Sequence, residues 1–305
     1  VETTVEGAAL CSFTLNHPFE PEQGEFVDVD WDSVEPGVDV EASIGWGGDG
    51  AMEPVFIGTV QSIRMDATPG SGPSLVVSAY GVLQEMMQGV VERSWSDAAI
   101  VDVAREVLGE YFSTVTVEGS GIKRNRIIQH GENDYRFLRR LAETYGFEFY
   151  AVRDTVSFKP RSAIGTSDPE VTLTYGDTLE TVTTEVSTSQ QVESVEIRYW
   201  DANAKKEVVG SASGGPGTGT EVCRIACDSK QEADQIATGK LSALSKARTT
   251  GHGETVGVPA IAAGATVRLE GLGSRFSGDY YVTQATHRLG RSGYRTTFDI
   301  MEIPA

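Results

Sequence analysis

A mainly β fold with an α+β insert is what this sequence predicts, and three observations predict it. Segments of strand-forming residues between Gly, Pro and Asp clusters fill most of the chain. Only three stretches carry apolar residues at helical spacing. Along the chain the order is β, then mixed α and β, then β with one helix, which is how a β scaffold with an inserted unit reads.

The first β block has strands predicted over 4–15, 38–46, 54–64 and 74–80. Val55, Ile57, Thr59 and Gln61 alternate with Phe56, Gly58 and Val60, so both faces of that strand should meet apolar neighbours. Residues 67–73 are rich in Gly and Pro and read as a turn. The first helix is marked by Ile100, Val103, Ala104, Val107, Leu108 and Tyr111 on one face, with Ser96 or Asp97 as its cap. The second is predicted over 134–145, capped by Asn133 and ended by Gly146. Leu138, Leu141, Ala142 and Tyr145 turn inward, while Arg136, Arg139, Arg140 and Glu143 cover the outside. Strands over 147–152 and 155–159 follow, joined at Arg153-Asp154. Further strands are predicted over 171–175, 179–187 and 192–200, and residues 210–220 read as a mobile Gly/Ser loop. The third helix spans 229–246, with Asp228 and Gln231 as a capping box. Strands near 266–271, 279–289 and 294–303 close the chain, and Gly293 marks a hairpin turn.

The chain has 305 residues, with 44 acidic against 25 basic side chains and a net charge of −19. Such a surface has no cationic surplus to displace phosphate counterions, so sequence-specific nucleic-acid binding is not expected. No apolar run reaches the roughly 18–20 residues of a bilayer-spanning helix, and no signal peptide is seen, so no membrane partner is expected. Three cysteines are too few for a disulfide scaffold. Cys223 and Cys227, if on one strand, share a face at about 13 Å, too far apart to bridge.

Chemical motifs are sparse. Gly45, Gly47 and Gly50 match the glycine spacing of a dinucleotide loop, but Pro54 and a strand follow where a helix should open, so a turn is expected. Asp28, Asp30, Asp32 and Asp39 have the spacing of a calcium loop. Ser33 stands where that loop needs glycine and Pro36 falls at its ninth position, so an acidic surface loop is the expectation. No nucleophile elbow, phosphate loop or zinc-protease pair occurs, and His17, His130, His252 and His287 are scattered. No catalytic, cofactor-binding or metal-binding residue is therefore assigned.

Three longer blocks carry more information. In residues 129–150, Gln129, Asp134, Phe137, Leu138, Arg140, Leu141, Ala142, Glu143, Gly146 and Tyr150 form one pattern, with Asn133 where the pattern has Ser. In residues 195–210, Val195, Ile197, Trp200, Asp201, Lys205 and Gly210 form a second, with Tyr199 in place of Gly. Residues 264–289 and 293–298 form a third. Together they resemble the baseplate hub proteins of contractile tails, the phage late control D family. That family is similar to the N-terminal hub part of valine-glycine repeat spike proteins.

The resemblance implies two tube-like antiparallel β-barrels per chain and a homotrimer presenting six barrels in a ring. Such a ring would join a sixfold inner tail tube to a threefold spike. The expected partners are the inner tail tube protein, the spike protein and other baseplate proteins. The expected place is a virion tail baseplate or a cytoplasm-assembled injection particle. No enzymatic activity and no cofactor are expected. The domain division expected is a first barrel over 1–80 with strands returning at 166–187, an insert over 81–165, and a second barrel with one helix over 188–305. Two alternatives stand beside it: the hub half of a type VI secretion spike protein, and a cell-wall hydrolase with a carboxylate pair that sequence cannot locate.

Overall fold

A computed structural model gives the fold and describes all residues except 16–18, 48–50, 69–71, 120–121, 166–167, 188–190, 202–203, 246–248 and 304–305. The chain opens with β1 (Glu2–Thr4), β2 (Leu10–Leu15), the two-residue strands β3 (Phe19–Glu20) and β4 (Glu25–Phe26), β5 (Asp39–Gly45), β6 (Met52–Thr68) and β7 (Gly72–Gly81). The middle contains β8 (Val91–Ala99), α1 (Ile100–Gly109), β9 (Val115–Val117), β10 (Lys123–Glu132), α2 (Asp134–Tyr145), β11 (Phe147–Val152) and β12 (Thr155–Pro160). Then come β13 (Val171–Thr174), β14 (Leu179–Val186), β15 (Ser194–Asp201), β16 (Lys206–Ser213), β17 (Thr220–Arg224) and α3 (Lys230–Ser245). The last strands are β18 (Thr249–Val256), β19 (Thr266–Glu270), β20 (Gly278–Gly290) and β21 (Gly293–Glu302).

One eleven-stranded sheet runs β14-β18-β21-β20-β1-β2-β7-β6-β5, with β13 and β19 branching from β20. β1 is the seam: Glu2 pairs with Leu10 on one side and with Thr286 on the other. The strands of β13, β14, β18, β19, β20 and β21 enclose one apolar cluster that includes Leu173, Leu179, Val267, Val282, Phe298 and Ile300. The strands before residue 82 enclose a smaller one around Cys11, Phe56 and Ala79. The largest cluster lies outside both: α1, α2, β11 and β12 pack with β15 and α3 through residues such as Leu108, Phe137, Leu138, Phe158, Ile197 and Ile236.

This packing corrects the expected division of the chain. The strands expected to return to the first barrel pair elsewhere, β13 with β19 and β14 with β18. Leu173 and Leu179 are the cause, since both are buried in the C-terminal cluster. Conversely, residues 194–245 do not join the last strands. They form a three-stranded sheet, β16-β15-β17, whose apolar side is shared with the insert.

Local signals held where chemistry was explicit. Asn133 Oδ1 accepts from Arg136 N at 2.9 Å, and Gly146 takes a left-handed φ of 74°. The two-residue hairpin closes with Gly290 opposite Gly293. The expected caps of the other two helices are displaced. Ser96 and Asp97 lie in β8, whose pairing with β10 carries the extended chain up to Ala99, and α1 begins with no side-chain cap. At α3 the capping pair is one residue further on: Ser229 Oγ accepts from Glu232 N at 3.1 Å, and Glu232 Oε2 accepts from Asp228 N at 2.7 Å. Residues 211–213 of the expected mobile loop are strand, held in register against Ser194–Glu196. The expected turn over 67–73 is shorter, since Thr68 still pairs with Gly72.

Candidate assembly surface

Sheet edges offer surfaces for assembly, and buried polar contacts fix the parts of the chain together. The long sheet ends at β5, at β14 and, on its branch, at β13. β5 pairs only with β6, and along it Asp39, Glu41 and Ser43 are exposed while Val40, Ala42 and Ile44 are half-buried. At the other end of its main path β14 pairs with β18, and a single bridge joins Leu179 to Tyr175, just past the end of β13. Open edges offer unpaired backbone N–H and C=O groups to another chain.

Buried polar contacts fix the insert against the rest. Tyr281 Oη on β20 donates to Glu148 Oε2 on β11 at 2.6 Å, with both residues buried. Burial, reinforced by the Glu148 charge, pushes the Tyr281 hydroxyl far above its ordinary value, so it remains a donor. On the opposite side of the insert Tyr145 Oη donates to Glu232 Oε1 at 2.6 Å, and Arg124 Nε lies 2.9 Å from the same oxygen. A further node lies within the insert itself: Asp134 accepts from Tyr111 Oη at 2.6 Å and Gln129 Nε2 at 2.7 Å, with Arg93 at 3.3 Å. Burial first, then the bond to Asp134, pushes the Tyr111 hydroxyl up to about 12. The sequence placed Asp134 simply at a helix start. Its role needed knowledge of β10, which brings Gln129 beneath it.

The N-terminal strands are also tied to the C-terminal ones directly. Trp46 Nε1 donates to Gly257 O at 2.7 Å, and its ring lies 6.0 Å from that of Tyr294. Tyr294 Oη in turn bonds His287 Nδ1 at 2.8 Å. Burial, with help from the N-terminal ammonium, depresses His287 to about 4, so it is neutral.

The conspicuous residues of the three blocks are structural. Arg139 donates to Val5 O at 2.8 Å and Arg140 to Ile128 O at 3.1 Å. Gly210 lies against α3, where a Cβ would sit 2.4 Å from the Ala233 backbone. Gly264 faces the Tyr150 ring at a φ of 90°. Trp200 instead lies 65% exposed on β15.

The scattered histidines stay apart. His130 meets Glu92 and His252 meets Asp299, each at 2.7 Å, while His17 lies outside the described residues. A cleft between the insert and the sheet is lined by Glu143, Glu148, Glu185, His252 and Asp299. Of these carboxylates, Glu143 is held by Arg139, Glu148 by Tyr281 and Asp299 by His252. The calcium-like run of aspartates is a loop with a short 3-10 turn, Trp31–Ser33. Among the described residues no group of three or more His, Cys, Asp or Glu is placed to hold a metal ion. Of the glycine motif, residues 48–50 lie outside the described residues, and the strand β6 begins at Met52. All three cysteines are free, and burial pushes the Cys227 thiol up to about 12. No helix among the described residues is long and apolar enough to cross a membrane.

Comparison with known proteins bears on these surfaces. Residues 27–293 match the family described as Phage tail baseplate hub (GPD). No curated protein matches the sequence. Among solved structures, a tail protein from Neisseria meningitidis MC58 superimposes with a TM-score of 0.73 at 15% identity, covering 99% of this chain and 90% of that one. The 43 kDa tail protein of prophage MuSo2 from Shewanella oneidensis gives 0.67 at 13% identity, over 98% and 92%. An E. coli protein described as a component of the type VI secretion system gives 0.65 at 13% identity, over 100% and 72%.

Proposed function

The chain belongs to the phage tail baseplate hub family, and on that footing we propose that it acts as a homotrimer joining a sixfold inner tail tube to a threefold spike. The observation that carries this reading is the continuous ladder through β1, which hydrogen-bonds two sheet units with separate apolar clusters into one chain. Each unit stands for one tube-like barrel, so three copies present six to the tube while keeping a threefold axis for the spike. Rotational closure ends the assembly at a ring. The open edges at β5 and β14 are then covered by neighbouring copies, which removes an aggregation hazard. The inner tube protein, the spike and adjoining baseplate proteins are the partners, and the role is structural rather than catalytic.

Imaging of whole particles without imposed symmetry tests this. Three copies per baseplate, each supplying two units to a ring of six, is the expected result. Six copies, or one unit per copy in the ring, overturns it. The likeness to the E. coli type VI component supports a second reading, the hub half of a type VI spike protein. Recovery of this chain covalently joined to a spike from secreting cells would favour that reading over a phage particle.

A further inference from the structure

The charge of this chain is unevenly placed. Residues 1–63 hold 13 carboxylates and no lysine or arginine, so they carry −13 of the total −19. Within this stretch the β3–β4 hairpin lies at the far end of the β6–β7 ribbon, and between them is an apolar groove lined by Phe19, Phe26, Trp31, Ile63, Met65 and Leu75. Phe19 and Phe26 pack edge to face at 5.1 Å and form its floor. Trp31 and Met65 are not covered: they are 44% and 57% exposed, and neighbouring Val27 is 38% exposed. Glu25 lines the groove, and Glu20, Glu22, Asp28, Asp30 and Asp32 stand close in sequence to its lining residues, Glu20 half-buried and the others exposed. The first arginine in the chain, Arg64, is already paired with Asp66.

An exposed tryptophan and methionine on a stretch of chain dense in exposed carboxylates is the composition of a binding surface, with an aromatic anchor and charge near it. We propose that this groove is a docking site for another protein of the baseplate, one presenting an apolar side chain flanked by lysines or arginines. The proposal rests on the hub reading. The nearby carboxylates set the sign of the partner: they repel phosphate and anionic lipid headgroups, and a second copy at −19 brings like charge. Exposed carboxylates would act mainly on the rate and salt dependence of docking, while Trp31 and Met65 would hold the complex.

A photo-cross-linking phenylalanine analogue at Trp31, in full-length chain assembled into particles, tests the assignment. The expected product joins residue 31 to an apolar residue next to a lysine or arginine on a different protein. Glu25→Lys combined with Asp32→Lys should lower its yield at least tenfold. Met65→Ser, which leaves the charge unchanged, should also lower it severalfold. Glu207→Lys, at an exposed carboxylate on β16, should leave it unchanged. Cross-links confined to the chain itself or to a second copy, no cross-link at all, or a yield indifferent to the double charge reversal overturn the docking site while leaving the hub reading in place. Baseplates that lack the chain altogether overturn both.

Discussion

Replacing Gly239 by alanine tests the packing of α2 on α3 because two physical terms pull in opposite directions. Gly239 is inside α3, and in an exposed helix Gly→Ala gains about 1 kcal/mol from backbone entropy and propensity. Here the new Cβ would lie 2.6 Å from Gly146 N, 2.7 Å from Gly146 Cα and 2.8 Å from Tyr145 C. All three are backbone atoms of the α2 terminus, so no side chain can swing aside. Gly146 is itself fixed by its left-handed φ of 74°. Ordinary contact needs at least 3.4 Å, so the helices must separate by about 0.8 Å, against the pull of the Tyr145–Glu232 bond. Overpacking of this kind costs about 1–3 kcal/mol or somewhat more, since backbone must yield. After the propensity gain, a net destabilisation of about 0–2 kcal/mol remains. Gly109→Ala supplies the contrast, because a Cβ on that last residue of α1 meets nothing within 4 Å. It should be neutral or stabilising by a few tenths of a kcal/mol. Urea midpoints of the two variants against the parent measure both signs. If Gly239→Ala stabilises as much as Gly109→Ala, the close α2–α3 contact is wrong.

Three further outcomes follow from the same contacts. Tyr281→Phe removes the donor to buried Glu148 and should cost about 1.5–3 kcal/mol in denaturant unfolding, whereas an unchanged midpoint would remove that bond from the list of ties. Leu138→Ala, at a fully buried position in the largest cluster, should cost about 2–5 kcal/mol, and an unchanged melting temperature would contradict its burial. His287 has its pKa lowered from 6.5 to about 4, so the unfolded chain binds the proton more readily between those values. Its contribution is complete above about pH 6.5 and is lost as pH falls toward 4, amounting to about 3 kcal/mol. The slope of stability against pH over that window should flatten in His287→Gln.

The parts of this fold legible in the sequence are those specified by neighbouring residues. Asn133 and Gly146 bracket α2 because caps act within one turn, and Gly293 marks its hairpin because a two-residue turn needs the conformation only glycine adopts freely. β8 and β10 were not legible. β8 alternates half-buried and exposed residues without a strong apolar face, and β10 carries four charged side chains, so their pairing rests on the register Ile127–Trp95 rather than on hydrophobic pattern. The strand partners of β13 and β14 were equally hidden, because alternation fixes which side of a strand is buried but not which core it enters. The apolar groove beneath Trp31 was obscured for a related reason: the run of aspartates reads as a solvated loop, and Ile63 and Met65 reach it from more than thirty residues away.

What holds the two sheet units at a fixed angle is a set of directed polar contacts beside one small apolar cluster, in which Val5 meets Tyr281 and Met301. The cluster around Phe56 and the cluster around Phe298 share no residue, so these two cores stabilise each unit without setting their relation. That relation rests on β1, three residues long, on Trp46 reaching Gly257, and on Ala263 N donating to Thr3 Oγ1 at 3.1 Å. The insert adds a brace from outside through Glu148 and Tyr281, and through Arg139 to Val5 O. Each such bond contributes only about 1 kcal/mol net, or up to about 3 when charged, yet each has directional geometry that burial lacks. A hub that must present two units per chain at a constant angle needs that directionality more than it needs additional stability. Weakening Trp46 or Tyr281 should therefore disturb the proposed ring before it unfolds the chain.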